Sequence, residues 1–90
     1  MKTKKQYILR QVLESWMVLP LGANSKESSL LKLNESGAML WRKLEQGCDR
    51  QTLIDSLTET YMVSTEEAAA DVEEFLSMLS QVGCLEEEDA

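Results

Sequence analysis

Two cysteines are the strongest candidates for chemistry in this sequence of 90 residues, which contains no histidine. A cysteine nucleophile needs an electropositive neighbour that favours the thiolate. Cys48 is followed by Asp49, and Cys84 precedes an acidic run, so nearby carboxylates disfavour the thiolate at both positions. Two isolated cysteines without histidine also cannot complete a four-ligand zinc site. We therefore expect two free thiols and no metal.

Other motifs that support catalysis or cofactor binding are missing from the sequence. Without histidine, the chain lacks the commonest general base. Its four glycines are isolated from one another, so neither a phosphate-binding loop nor a dinucleotide-binding fingerprint can form. The adjacent glutamates at 66–67 and 73–74 should diverge on a helix surface and face solvent. The sequence predicts that this chain is not an enzyme and takes no cofactor.

Charge and hydrophobicity restrict the partners that the chain can bind. Sixteen acidic residues against nine basic ones give a net charge of −7, which disfavours binding to nucleic acid phosphates. A peptide or protein partner fits this charge better. No apolar run approaches the roughly 18 residues of a membrane span, and no signal-peptide core follows the basic start of the chain. We expect a cytoplasmic protein without membrane contact.

The first third of the chain is predicted to form β-strands. Short apolar, β-friendly runs indicate three strands, near residues 6–13, 15–21 and 28–33. The step from Glu14 to Ser15 is a predicted turn, and polar residues between 22 and 26 form a predicted loop. Short antiparallel strands of this kind need a second layer to be stable.

From residue 34 onward the apolar residues repeat with a helical period, which indicates three helices. Asn34 is a good cap for the first helix, and Gly47 is typical of its end. Asp49 caps the second helix. Ser64 begins the third with a Ser-x-x-Glu capping box, and Gly83 follows as its stop signal.

Together these elements predict one α+β domain of order β-β-β-α-α-α, a winged-helix-like fold in which a three-stranded antiparallel sheet precedes a three-helix bundle. The domain is expected to span 1–90, with an ordered core at about 6–86 and an acidic tail at 86–90. Most of the core is predicted to come from large apolar side chains on the helices: Met39, Leu40, Trp41, Leu53, Leu57, Tyr61, Phe75, Leu76 and Leu79.

One segment carries a more specific signal. Residues 31–38 read Leu-Lys-Leu-Asn-Glu-Ser-Gly-Ala, and residues 40–47 continue as Leu-Trp-Arg-Lys-Leu-Glu-Gln-Gly. The helix at 70–79 is followed by Gly-Cys-Leu at 83–85. In order and spacing, these segments resemble the PqqD-like family over about residues 6–86. Local structure alone accounts for the residue types at 34 and 37, because Asn34 caps a helix and Gly37 permits close packing.

The resemblance implies a recognition element for the leader segment of a ribosomally synthesised precursor peptide. In such proteins the leader adds as a strand to the edge of the sheet and lies in a groove beside the third helix. Acidic residues at the rim, Asp71 and Glu74, would favour a leader that carries Lys or Arg. Carried onto this chain, the implied contact residues are Ser28, Ser29, Leu30, Leu31, Lys32, Leu33, Asp71, Val72, Phe75, Leu76 and Leu79.

Two questions stay open at this level. The apolar residues of the third helix could all point into the core, which would leave Ala68, Asp71 or Met78 to line the groove. Two other functions compete with leader binding. A winged-helix DNA-binding regulator is disfavoured by the acidic helices, whereas an adaptor that docks an enzyme without binding peptide is compatible with the sequence. The implied partners are the precursor peptide and a modifying enzyme, such as a radical SAM protein or a peptidase or cyclase, and the chain would be a monomer or a homodimer.

Overall fold

The computed structural model describes residues 1–20 and 31–86, and it confirms the predicted α+β fold. A three-stranded antiparallel sheet precedes three helices, as expected from the change in apolar period. The elements in chain order are β1 (Lys2–Thr3), β2 (Tyr7–Val12), β3 (Ser15–Pro20), β4 (Leu31–Leu33), α1 (Glu35–Gln46), α2 (Arg50–Tyr61), α3 (Thr65–Val82) and β5 (Leu85–Glu86).

The three-stranded sheet has the order β2-β3-β4, with both pairs antiparallel. A tight turn joins β2 to β3, and Leu13 within it has a φ of 59°. Because Val12 pairs with Ser15, the turn lies one residue earlier than the predicted step from Glu14 to Ser15. Strand β4 pairs Leu31–Leu33 with β3, whereas residues 28–30 of the predicted third strand lie outside the described residues.

A second, two-stranded sheet joins the two ends of the described chain, and the sequence pattern does not indicate it. Strand β1 pairs antiparallel with β5, so that Lys2 lies opposite Glu86 and Thr3 opposite Leu85. The Met1 nitrogen donates to the Cys48 carbonyl oxygen at 3.1 Å, and the Cys48 N–H donates to the Met1 carbonyl oxygen at 3.0 Å. Strands of two residues carry no readable alternation, which is why sequence reasoning misses them.

The predicted helix starts are confirmed at all three caps. The side-chain oxygens of Asn34, Asp49 and Ser64 each accept a hydrogen bond from the backbone N–H three residues later, at distances of 2.8, 2.9 and 3.1 Å. These bonds satisfy backbone donors that have no partner within the first helical turn. At the other end of α3, Gly83 has a φ of 88° and donates back to the carbonyl oxygens of Leu79 and Ser80.

The hydrophobic core lies between the sheet and the three helices. Trp41 of α1 is fully buried in this core, and its indole N–H donates to the Glu45 carboxylate at 3.0 Å. Arg42 lies over the Trp16 ring at 4.4 Å from its centroid, which links α1 to β3. The buried members of the core are Val18, Leu33, Leu40, Trp41, Leu44, Leu53, Ile54, Leu57, Ala68, Val72, Phe75, Leu76, Leu79 and Cys84.

The prediction that Tyr61 belongs to the core is wrong, because 39% of its surface is exposed. It is the last residue of α2, and Met62 then takes a left-handed conformation that ends the helix. The buried apolar stripe of α2 therefore ends at Leu57, one turn earlier than the helical period predicts. Met39, also predicted as core, is partly buried and packs against the cluster from outside.

Gly37 allows α1 to approach the end of β4 closely. A Cβ at this position would lie 3.2 Å from the Asn34 side-chain oxygen and 3.3 Å from the Leu33 Cβ. Both distances are shorter than ordinary van der Waals contact, so a larger residue must displace the cap or the strand. Glycine is thus favoured at this helical position by close packing rather than by backbone conformation.

We expect Gly37→Val to destabilise the fold by about 1–3 kcal/mol, the usual range for overpacking. Chemical denaturation, read by circular dichroism, measures the change in the free energy of unfolding. Gln46→Val serves as the matched control, because Gln46 is exposed at the other end of the same helix. Because Gly→Val raises the intrinsic helix propensity and Gln→Val lowers it, a loss at Gly37 that is no larger than the loss at Gln46 would contradict the packing role of Gly37.

Asp49 should make the stability depend on pH in the acidic range. Hydrogen bonds from the Thr52 side chain and backbone N–H lower the pKa of Asp49 below its ordinary value of 3.8. A depressed pKa in the folded state stabilises the protein above the unfolded pKa, and this contribution is lost as the pH falls through the folded value. Asp49→Asn retains a cap but does not titrate. The stability advantage of the native protein over Asp49→Asn should therefore shrink below about pH 4. A difference that is independent of pH would contradict this assignment.

Candidate functional site

A groove separates β4 from α3 and encloses about 280 Å³. The end of β4 and the start of α1 form one wall, and α3 forms the other. Leu40 of α1 and Leu57 of α2 lie at its base. The full lining is Lys32, Leu33, Asn34, Ser36, Gly37, Leu40, Leu57, Asp71, Glu74, Phe75 and Met78.

Helix α3 supplies its wall through one face. Asp71, Glu74, Phe75 and Met78 follow one another at spacings of three, one and three residues, which places them on the same side of a helix. The neighbouring face points into the core, where Val72 is fully buried. The helix thus packs through one stripe and presents an adjacent stripe to the groove.

The groove combines an apolar base with a charged rim. Leu33, Leu40 and Leu57 are each at most 4% exposed, yet all three reach the cavity. Lys32, Asp71 and Glu74 are exposed at its margin. Such a surface can bury an apolar side chain while its charges select among partners.

Within the described residues, strand β4 lies at the edge of its sheet, because the order is β2-β3-β4. An edge strand has backbone N–H and C=O groups that do not point toward its one neighbour. Lys32 and Leu33 of this strand line the groove, so the strand edge and the cavity are parts of one surface. An extended segment could therefore pair with β4 and place alternate side chains in the groove.

The structure brings together five of the residues expected from sequence: Lys32, Leu33, Asp71, Glu74 and Phe75. Leu31 is partly buried and packs against the core. Three others of the expected set are core residues and do not line this groove: Val72, Leu76 and Leu79. Ser28, Ser29 and Leu30 lie outside the described residues.

Sequence reasoning missed the contribution of the first helix. Asn34, Ser36 and Gly37 line the groove, although the sequence suggested only local roles for the motif that contains them. The Asn34 side chain accepts hydrogen bonds from both the Ser36 hydroxyl and the Gly37 N–H, at 3.0 and 2.8 Å. The order of the elements could have revealed this contribution, because a helix that begins directly after an edge strand must have its first turn beside that edge.

A second cavity of about 350 Å³ continues the groove past the end of β4. Four residues line both spaces, namely Asn34, Ser36, Leu57 and Asp71. The second cavity adds Glu35, Tyr61 and Val63, which come from the start of α1 and the end of α2. The two cavities therefore form one continuous surface.

Neither thiol has an environment that activates it. The pKa values of the Cys48 and Cys84 thiols are raised above the ordinary value, and burial is the main cause in both cases. Within residues 1–20 and 31–86, no group of three carboxylates, cysteines or histidines could hold a metal ion. No helix in that part of the chain is long and apolar enough to cross a membrane.

Two solved structures share this fold. One is described as TbiB1 in complex with the TbiA(beta) leader peptide; it is 21% identical, and the match covers 100% of both chains with a TM-score of 0.78. The other is lasso peptide synthetase B1 complexed with the leader peptide; it is 18% identical, and the match covers 92% of this chain and 93% of that one, with a TM-score of 0.70. No curated protein sequence matches this chain significantly.

The family model of coenzyme PQQ synthesis protein D (PqqD) matches residues 16–85. That range begins in β3 and ends in β5, so it includes every residue that lines the two cavities. The match covers most of the chain and agrees with the motif at 31–38. This chain belongs to the PqqD family.

Proposed function

We propose that this chain binds the leader segment of a ribosomally synthesised precursor peptide and presents it to a modifying enzyme. The observation that carries the proposal is the edge strand β4 beside a groove with an apolar base. The surface is suited to an extended peptide, because it combines backbone hydrogen-bonding groups with pockets for side chains.

In the proposed complex, the leader adds to β4 as a further strand. Backbone pairing with Lys32 and its neighbours supplies hydrogen bonds that do not depend on sequence. Successive peptide side chains point to opposite faces, so every second one would enter the groove. Selectivity then depends on which side chains fit between β4 and α3.

The groove geometry changes the expected contact set on α3. We propose that Asp71, Glu74, Phe75 and Met78 contact the peptide, because all four line the cavity. Val72, Leu76 and Leu79 support that wall from the core. The alternative left open by the sequence is followed in part, because Asp71 and Met78 line the groove but Phe75 also does, and Ala68 is fully buried. Contacts from Ser28, Ser29 and Leu30 stay a prediction.

The similar structures support this function, since both are described as complexes with leader peptides. DNA binding, the rival function, would require a basic recognition helix. Helix α3 carries Glu66, Glu67, Asp71, Glu73 and Glu74 and no basic residue. Such a helix would repel phosphates rather than neutralise them. A role as an enzyme-docking adaptor is compatible with peptide binding, and the titration described below separates the two.

We further propose that the chain itself contributes no catalytic group and acts beside a separate enzyme in the cytoplasm. The raised pKa of both cysteines agrees with a binding role. A radical SAM protein or a peptidase or cyclase is the expected class of enzyme. Peptide addition to β4 would occupy one of the two sheet edges, and the β2 edge would stay available, so both a monomer and a homodimer are compatible with the complex.

The proposal is tested by titrating the protein with the N-terminal peptides of small precursor proteins encoded nearby. Calorimetry gives the affinity, and amide NMR shifts locate the site. Micromolar or tighter binding, with shifts at residues 31–33 and 71–78, is the expected result. If the folded protein binds none of these peptides, leader recognition is rejected in favour of enzyme docking.

Charge reversal at the rim should weaken binding of a peptide that contains Lys or Arg. We expect Glu74→Lys to raise the Kd about two- to fivefold at low salt, and less at high salt. Glu73→Lys is the matched control, because it makes the same charge change one residue away. Glu73 is exposed and pairs with Arg50 of α2, outside both cavities. Equal effects in the two variants would argue against a local role for Glu74.

The apolar wall of α3 should contribute to affinity more than the rim does. Met78→Gln is expected to raise the Kd about fivefold or more, because a polar side chain replaces apolar surface that the peptide would cover. Val82→Gln is the control, since Val82 lies one turn later and is also partly buried against the core but lines neither cavity. Thermal melts compare the stability of the two variants. Unchanged affinity in a folded Met78→Gln protein would exclude this wall from the interface.

A further inference from the structure

We propose that the second cavity, defined by Leu57, Tyr61 and Val63, is a distinct subsite that binds one large apolar side chain of the same peptide. The inference rests on the proposed function and extends it. This side chain would belong to a residue just outside the segment that pairs with β4. The peptide would therefore be recognised at two points, the strand edge and this subsite.

Continuity with the groove identifies the occupant. Asn34, Ser36, Leu57 and Asp71 line both spaces, so a chain that leaves the edge of β4 passes directly into the second cavity. Strand β4 ends at Leu33, and Asn34 begins the turn into α1. A peptide that continues past this point has no strand left to pair with. It must then be held by its side chains.

The chemistry of the walls identifies the class of side chain. Leu57 is buried at the base, Val63 is partly buried, and Tyr61 is 39% exposed. Tyr61, which departs from the core pattern, thus lines a cavity that no residue of the described chain fills. An aromatic or large aliphatic side chain would cover these three residues and remove apolar surface from water.

Charge complementarity adds a second preference. Glu35 and Asp71 are exposed at the margin of the cavity, and no basic residue lines it. The first groove differs, because Lys32 lies at its rim with Asp71 and Glu74. A Lys or Arg beside the apolar anchor would therefore be attracted to the second cavity more strongly than to the first.

Fluorine NMR tests the subsite with an internal control, because the sequence contains two tyrosines, Tyr7 and Tyr61. Protein labelled with 3-fluorotyrosine gives two resonances, which Tyr→Phe variants assign. Tyr7 lies in β2, at the opposite edge of the sheet from β4. Titration uses the precursor N-terminal peptide that binds in the calorimetry above. Tyr61 should shift with the peptide and Tyr7 should not. Alanine at one apolar peptide residue should abolish the Tyr61 shift while the amides at 31–33 still respond.

Variants at two adjacent apolar residues give an independent measurement. Val63→Gln should raise the Kd about tenfold, the change expected when one large apolar side chain loses its apolar surroundings. Met62→Gln is the matched control, because Met62 is 91% exposed and does not line the cavity. Thermal melts check that both variants fold.

The outcomes separate this inference from the proposed function. If the amides of β4 shift but Tyr61 does not, or if Val63→Gln and Met62→Gln bind equally well, the peptide binds at the edge alone and the subsite is rejected. If no precursor peptide changes either the amides or the fluorine resonances, leader recognition fails and the subsite fails with it.

Discussion

The hydrogen bond from the Gly37 N–H to the Asn34 side chain is the constraint on which the site depends. It begins α1 one residue after β4 ends, so the first turn of the helix must lie beside the edge of the sheet. Gly37 keeps this turn against Leu33, which is itself buried. The cap and Gly37 together therefore set the turn from strand to helix, and with it one wall of the groove.

The opposite wall is held by packing rather than by hydrogen bonds. Val72, Leu76 and Leu79 anchor α3 in the core, which leaves the stripe that contains Phe75 at the groove. Because core residues of this kind are closely packed, the stripe has little freedom to move. A groove between two fixed walls is preorganised, and a peptide that enters it loses less free energy to ordering of the protein.

The sequence was sufficient to predict the elements but not the exposure of individual side chains. Caps at Asn34, Asp49 and Ser64 act locally, so their residue types alone identify the helix starts. Tyr61 follows the same helical period as the core residues, and only the tertiary arrangement shows that α2 extends beyond the core at this residue. The pairing of β1 with β5 joins distant segments of two residues each, which no local pattern encodes.

The same limit applies to the candidate site. Periodicity identified an apolar stripe on α3 but not the division between Val72, which is in the core, and Phe75, which reaches the groove. These residues are three positions apart and belong to one amphipathic face. What separates them is the gap beside β4, and that gap is a property of how the layers pack.

The short edge of β4 explains why side-chain pockets must contribute to recognition. Leu31–Leu33 offers about two to four outward backbone groups, since successive residues alternate in direction. At roughly 1 kcal/mol net for each hydrogen bond, this described part of the edge supplies about 2–4 kcal/mol. That is no more than millimolar affinity, even before the entropy of association is subtracted. Tight binding through this surface therefore requires burial of apolar side chains against residues such as Leu57, which lies at the base of both cavities. Backbone pairing sets the register of the peptide, and the cavities determine which peptides bind.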